Sequence, residues 1–150
     1  MLTSPDFKEL LNLFKKHNVK CLVVGGYAVM LYTEPRFTKD LDLLISIEIK
    51  NATAVYNALK EFGAPLVDLH VKDFSQEGYF YQMGRPPMRV DILMSIPGVK
   101  FSSAWSRRKQ LTIDGIKMNF ISKEDLIASK KASGRSQDLI DVKNLEKPNP

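Results

Sequence analysis

Three aspartates carry the chemistry that this sequence could perform. Asp40 and Asp42 lie in the run Asp40-Leu41-Asp42-Leu43-Leu44-Ile45, and Asp91 lies in Arg89-Val90-Asp91-Ile92-Leu93. Acid and apolar residues alternating in this way predict a strand, whose side chains point to opposite faces with period 2. Asp40 and Asp42 then share one face, while Leu41, Leu43 and Ile45 take the face that can be buried. Two such carboxylates at about 4 Å repel each other by on the order of 4 kcal/mol at an effective dielectric near 20. Bulk water tolerates the pair at a strand start, and a divalent cation between them turns repulsion into attraction. Asp91, alone among apolar neighbours, is costly to bury unless paired or metal-bound. An edge position facing water is its plainer alternative. We read the three acids as one metal site.

The elements that must position these acids begin just upstream. An apolar strand over 20–24 stops at the pair Gly25-Gly26, and a helical segment over 27–32 and a turn around Pro35 lead into the first two acids. Glycine lets the backbone turn sharply and approach a ligand with no β-carbon in the way. Alone, the pair is a tight strand-to-helix turn. With acids downstream, Gly26 and the helix start offer backbone N–H groups to phosphates. Arg36 and Lys39, just ahead of the acids, are either ligands for such phosphates or solvated loop charges.

The rest of the chain supplies a scaffold. Ser4-Pro5-Asp6 opens a helix with a capping hydroxyl, a proline at the first position and an acid at the positive dipole end. Phe7, Leu10, Leu11 and Phe14 give it one apolar face, and it should end near His17-Asn18, with His17 solvated. A second amphipathic helix is expected over 47–62, closed by Gly63. The stretch 65–80 is mixed, and His70 there has no partner at metal-ligand spacing. Two strands, 79–83 and 88–94, flank the turn Gly84-Arg85-Pro86-Pro87. A short helix over 101–109 carries Trp105 and the cluster Arg107, Arg108 and Lys109, read as solvated surface or a nucleic-acid contact. Asp114-Gly115 is a two-residue hairpin signal. Ser122 with Asp125 opens a helix that Gly134 ends, and a last helix follows before the tail.

The bulk properties narrow the class. One hundred and fifty residues fit one domain with a real core (residues 1–120, then a C-terminal helical part over 121–147). No apolar run approaches a membrane span and the start is polar, so a cytoplasmic protein without a signal peptide is expected. The single cysteine, Cys21, rules out an intrachain disulfide and reads as a small core residue. A net charge of +5 tilts toward anionic partners such as nucleotide phosphates or RNA.

Taken together, Gly25-Gly26, Asp40-Leu41-Asp42-Leu43 and Asp91 resemble the signature of the DNA polymerase β-like nucleotidyltransferase superfamily over about residues 20–95. The run Arg36-Phe37-Thr38-Lys39-Asp40-Leu41-Asp42 is similar to the branch of abortive-infection-type toxin nucleotidyltransferases. The resemblance implies an α/β fold with a small mixed, mostly antiparallel sheet, helices on one face, and a short C-terminal helical pair. It implies two Mg2+ (or Mn2+) ions held by Asp40, Asp42 and Asp91, and phosphates cradled by Gly25 and Gly26. Two such ions about 4 Å apart would stabilise the attacking and leaving oxygens at the α-phosphorus. A further likeness to the toxin branch gives Lys130 a phosphate contact and Asp138 an orienting role. Without it, Arg135 and Asp138 are an ion pair on a helix surface. Many superfamily members carry serine after the first glycine; this chain has Gly26.

Three functions follow. The first is an active nucleotidyltransferase using an NTP and a hydroxyl acceptor on an RNA 3′ end, a protein or a small molecule. The second is a catalytically silent nucleotide- or RNA-binding module, of antitoxin or subunit type, with a partner protein. The third is a basic RNA-binding domain that needs no metal.

Overall fold

The computed structural model describes residues 4–35, 40–85 and 89–148. The chain opens with helix α1 (Pro5–Lys16), strand β1 (Cys21–Val24), helix α2 (Gly25–Tyr32) and strand β2 (Asp40–Ile45). Helix α3 (Ile49–Phe62) and a 3-10 turn (Val71–Ser75) lead to β3 (Phe80–Met83) and β4 (Arg89–Leu93). Helix α4 (Phe101–Ser106), the hairpin β5 (Lys109–Ile113) and β6 (Ile116–Phe120), and helices α5 (Lys123–Ser133) and α6 (Ser136–Glu146) complete it. Among the described residues no helix is long and apolar enough to cross a membrane.

The strands form one sheet in the order β3-β4-β2-β1-β6-β5. Pairs β1–β2, β3–β4 and β5–β6 are antiparallel, and β2–β4 and β1–β6 are parallel. This is the mixed, mostly antiparallel sheet that the sequence predicts, followed by the predicted helical pair. Leu41, Leu43 and Ile45 of β2 and Ile92 of β4 are wholly buried, as the alternation requires. Helix α1 packs against α3, joining Phe7, Leu10, Leu11 and Phe14 to Ala52, Val55, Ala58 and Leu59 in one core. Ser4 caps α1 by accepting from the Phe7 N–H (3.4 Å), and Gly63 closes α3 in the left-handed region at φ +90°.

Differences from the sequence reading have local causes. Helix α2 begins at Gly25 itself, so the glycine pair forms its first turn and does not merely precede it. Gly25 has φ +66°, and a β-carbon there would overlap the Asp42 carboxylate, lying 2.9 Å from its Cγ. The turn and the acid therefore interlock. In the mixed stretch, Asp73 Oδ2 accepts from the His70 N–H (2.7 Å), which makes His70 an exposed cap of the 3-10 turn. Cys21 is only partly buried in residue terms, yet its thiol is desolvated and its pKa is pushed up to about 12.

The basic cluster is divided rather than wholly solvated. Helix α4 stops at Ser106, and Lys109 belongs to β5. Arg107 forks onto Asp125 through Nε–Oδ2 (3.0 Å) and Nη2–Oδ1 (2.7 Å), and Ser122 Oγ donates to the same carboxylate (2.9 Å). Those bonds hold Asp125 below the ordinary carboxylate range against the burial that would raise it. The guanidinium of Arg108 lies 4.0 Å from the Trp105 ring centre.

A second ion cluster staples α5 to α6 across Gly134. Lys130 Nζ lies 3.2 Å from Asp138 Oδ1 and 2.9 Å from Asp141 Oδ2, while Arg135 Nε donates to Asp138 Oδ2 (2.9 Å). Both carboxylates are almost fully buried, and Gln137 Nε2 donates to Asp141 Oδ1 (3.1 Å). Burial alone would raise the Asp138 carboxyl, but bonds from Arg135, Ser133 and Lys130 outweigh it and hold the pKa at about 2.

Lys130→Met would leave two buried acids without their shared cation and should lower the unfolding free energy by about 3–5 kcal/mol in urea melts. Since the folded pKa of Asp138 lies below the ordinary 3.8, its contribution is complete above that pH and disappears as pH falls toward about 2. Asp138→Asn should therefore flatten the loss of stability between about pH 5 and about pH 2.5 in the same melts. Gly25→Ala should destabilise the fold by about 1–2 kcal/mol through the left-handed backbone alone, and by more through the displaced Asp42 carboxylate.

Candidate active site

Register brings the acids together. Strands β2 and β4 run parallel with Asp42 opposite Asp91 and Asp40 opposite Arg89, so all four side chains share one face of the sheet. On the other side, β1 pairs with β2 so that Val24 faces Asp42, and the chain turns at Gly25 directly over that carboxylate. The acid strand, the glycine turn and the third acid thus meet at one end of β1.

The acids are not equivalent. Asp91 is 8% exposed, and Asp42 is largely desolvated beside it. Burial, the hydrogen bond with Asp91, and the charges of Asp91 and Asp40 push the Asp42 pKa up to about 7, with Arg89 only partly countering them. Two carboxyls so close cannot both ionise freely without a cation. Asp40 is half-buried and accepts from Arg89 Nη2 at 2.7 Å. The same guanidinium reaches Asp91 at longer range, with Nε 3.4 Å from Oδ1 and Nη2 3.4 Å from Oδ2. Arg89 Nε and Asp91 Oδ1 are both buried and satisfy no hydrogen bond.

Among the described residues no three ligand-type side chains already converge as a metal cage; Asp42 and Asp91 meet, while Asp40 is engaged by Arg89. The donor set nonetheless fits a hard divalent cation. It offers carboxylate oxygens only, one of them a buried oxygen without a hydrogen-bond donor, in a pair whose repulsion a cation would relieve.

The remaining residues singled out in the sequence fall in several places. Gly25 and Gly26 open α2, whose N-terminus is not capped by any side chain among the described residues, leaving its first N–H groups for an anion. Arg36 and Lys39 lie outside the described residues. Lys130 and Asp138 sit together on the α5–α6 pair, which packs against α2, and each is engaged by the other. The sequence reading gave Arg89 no role, although its position two residues before Asp91 on a period-2 strand puts both on one face. Within the expected strand β3 it singled out no residue, yet Gln82 lies opposite Asp91 and the exposed Phe80 opposite Leu93 on that face.

Comparison with known proteins agrees with this fold. A family model described as a nucleotidyltransferase of unknown function, DUF6036, matches residues 6–146. No curated protein matches the sequence. Among solved structures, the lincosamide antibiotic adenylyltransferase LnuA, in its lincomycin-bound form, is 17% identical with a TM-score of 0.61, the match covering 97% of this chain and 98% of that one. The antibiotic-resistance factor ANT(2'')-Ia is 12% identical with a TM-score of 0.61, over 93% of this chain and 80% of that one. An antigenic nucleotidyltransferase-like protein from Paracoccidioides brasiliensis is 20% identical with a TM-score of 0.54, over 91% and 71%. At these identities the likeness is one of fold. The match of nearly the whole chain to the family model, on an α/β nucleotidyltransferase fold, shows that the chain belongs to the DUF6036 family of nucleotidyltransferases.

Proposed function

We propose that the protein transfers a nucleoside monophosphate from an NTP to a hydroxyl group, using Mg2+ or Mn2+ held by Asp40, Asp42 and Asp91. The observation that carries this reading is the register of β2 and β4, which sets Asp42 against Asp91 beneath the Gly25 turn. Asp40 and Asp42 would hold the cation that accompanies the triphosphate, and Asp42 and Asp91 the second one. Bound there, such cations would supply neutralisation of the charge on the α-phosphate and the departing pyrophosphate. Asp91 accepts the proton of the attacking hydroxyl. That oxygen forms a bond to the α-phosphorus as the bond to the β-bridging oxygen breaks, and pyrophosphate leaves. Backbone N–H groups at Gly25 and Gly26 hold the phosphates through the start of α2.

The acceptor we favour is a small hydroxyl compound. The chain is similar over its length to LnuA, whose lincomycin-bound form is that of a lincosamide adenylyltransferase. Gln82 and the exposed Phe80 also flank Asp91 on the edge strand, where an acceptor with an apolar face would lie. An RNA 3′ end, as in the toxin branch, is the acceptor that the net charge of +5 would suit. A silent nucleotide- or RNA-binding module is the second reading; Gly26 favours it by leaving out the hydroxyl that many superfamily members present to the phosphates.

Calorimetric titration of the four NTPs, with and without Mg2+, tests the reading on wild type and Asp42→Asn. Saturable binding that requires the metal, and weakens at least about tenfold in the variant, a loss of 1.4 kcal/mol or more, is expected. Nucleotide binding that ignores both the metal and the substitution would sink the catalytic reading and leave the silent module.

A further inference from the structure

Arg89 is the one cation placed among the described acids of the site, and none of the proposed chemistry uses it. It stands two residues before Asp91 on β4 and directly across the parallel register from Asp40. Its grip is uneven. The bond to Asp40 (2.7 Å) has the length of a strong charge-assisted contact, whereas both approaches to Asp91 (3.4 Å) are long. Nε and Asp91 Oδ1, both buried, gain no hydrogen bond from being neighbours. The guanidinium therefore satisfies Asp40 but leaves one oxygen of Asp91 without a donor.

We propose that Arg89 is the resident counter-ion of the carboxylate site, standing in for a divalent cation and giving up Asp40 when cation and triphosphate arrive together. The inference rests on the metal-site reading above. Ionised, the acids carry three negative charges against the single positive charge of Arg89, and the register holds all of them on one face of the sheet. A divalent cation entering among the same oxygens competes with Arg89 for Asp40 and meets a like charge a few ångströms away. A cation alone consequently binds poorly. A triphosphate changes the balance, because a guanidinium released from a carboxylate finds an equivalent forked partner in phosphate oxygens. The triphosphate alone also binds poorly, since Arg89 is then still held by Asp40 and the acids repel the incoming anion. Cation and nucleotide should load as a pair. Arginine suits this role because, unlike lysine or histidine, it keeps its charge in any setting and cannot escape by losing a proton.

The test compares wild type with Arg89→Met and Arg89→Lys, first with Mn2+ alone, followed by electron paramagnetic resonance. Arg89→Met should bind Mn2+ at least tenfold more tightly than wild type while its metal-free form melts at a lower temperature. Arg89→Lys, which keeps a charge but not the fork, should fall between them and protects the experiment against a Met variant that does not fold. In thermal melts, Mn2+ and inorganic tripolyphosphate together should raise the wild-type Tm by more than the sum of their separate effects, and Arg89→Met should lose that excess. A merely structural Arg89 would lower the Tm without tightening Mn2+ binding, and that result overturns the proposal. If no variant, wild type included, binds Mn2+ with or without tripolyphosphate, the metal-site reading itself is what has failed.

Discussion

Everything in this molecule depends on two carboxylates facing each other across a parallel strand pair. Asp42 and Asp91 are brought together by the register of β2 and β4, the least negotiable feature of the sheet. A slip of one residue would turn Asp42 into the core and Leu43 out to the acids, exchanging buried apolar surface for a buried charge. The wholly buried row Leu41, Leu43, Ile45 and Ile92 resists that slip. The hydrophobic effect thus does electrostatic work: packing on one face holds like charges together on the other.

The repulsion is then contained locally. Gly25 lets the backbone close over Asp42 because it lacks a β-carbon, and Arg89 supplies the nearest compensating charge. The remainder of the fold anchors this end of the sheet. Arg107 ties the segment between α4 and β5 to the first turn of α5, and Lys130 ties α5 to α6, which lean on the α2 helix that Gly25 begins. Both anchors place acids out of water and pair them with cations, so neither behaves as a loose surface pair.

Local features were the legible ones. The cap at Ser4, the apolar face of α1, the Asp114-Gly115 hairpin and the Ser122 helix start all depend on residues within a few positions of one another. Backbone angles at Asp114 (φ 53°) and Gly115 (φ 80°) fit the turn type that this pair favours. The acids and the glycine pair could be read because period-2 alternation and a sharp strand end are also short-range patterns. Partnerships across the sheet could not. That Arg89 faces Asp40, 49 positions away, follows only from which strands pair and in what register. The same holds for Arg107 and Asp125, where a surface-like run of basic residues turned out to contain a clamp. Gln82 and Phe80 look like ordinary edge-strand residues until β4 is set beside them.

The aromatic stack around the molecule's only tryptophan lies at the opposite end of β1 from the acids. Trp105 stacks with Phe101 at 5.7 Å and meets the Arg108 guanidinium at 4.0 Å, with the Lys20 ammonium 5.8 Å from its ring. Trp105 is only partly buried, and its immediate neighbours are cations and an aromatic ring that belong to the scaffold. The protein therefore carries an intrinsic optical gauge of its packing, separated by the length of a strand from the place where ligands are proposed to act. A change in that colour reads as a change in the packing at this end of the sheet, apart from any event at the acids.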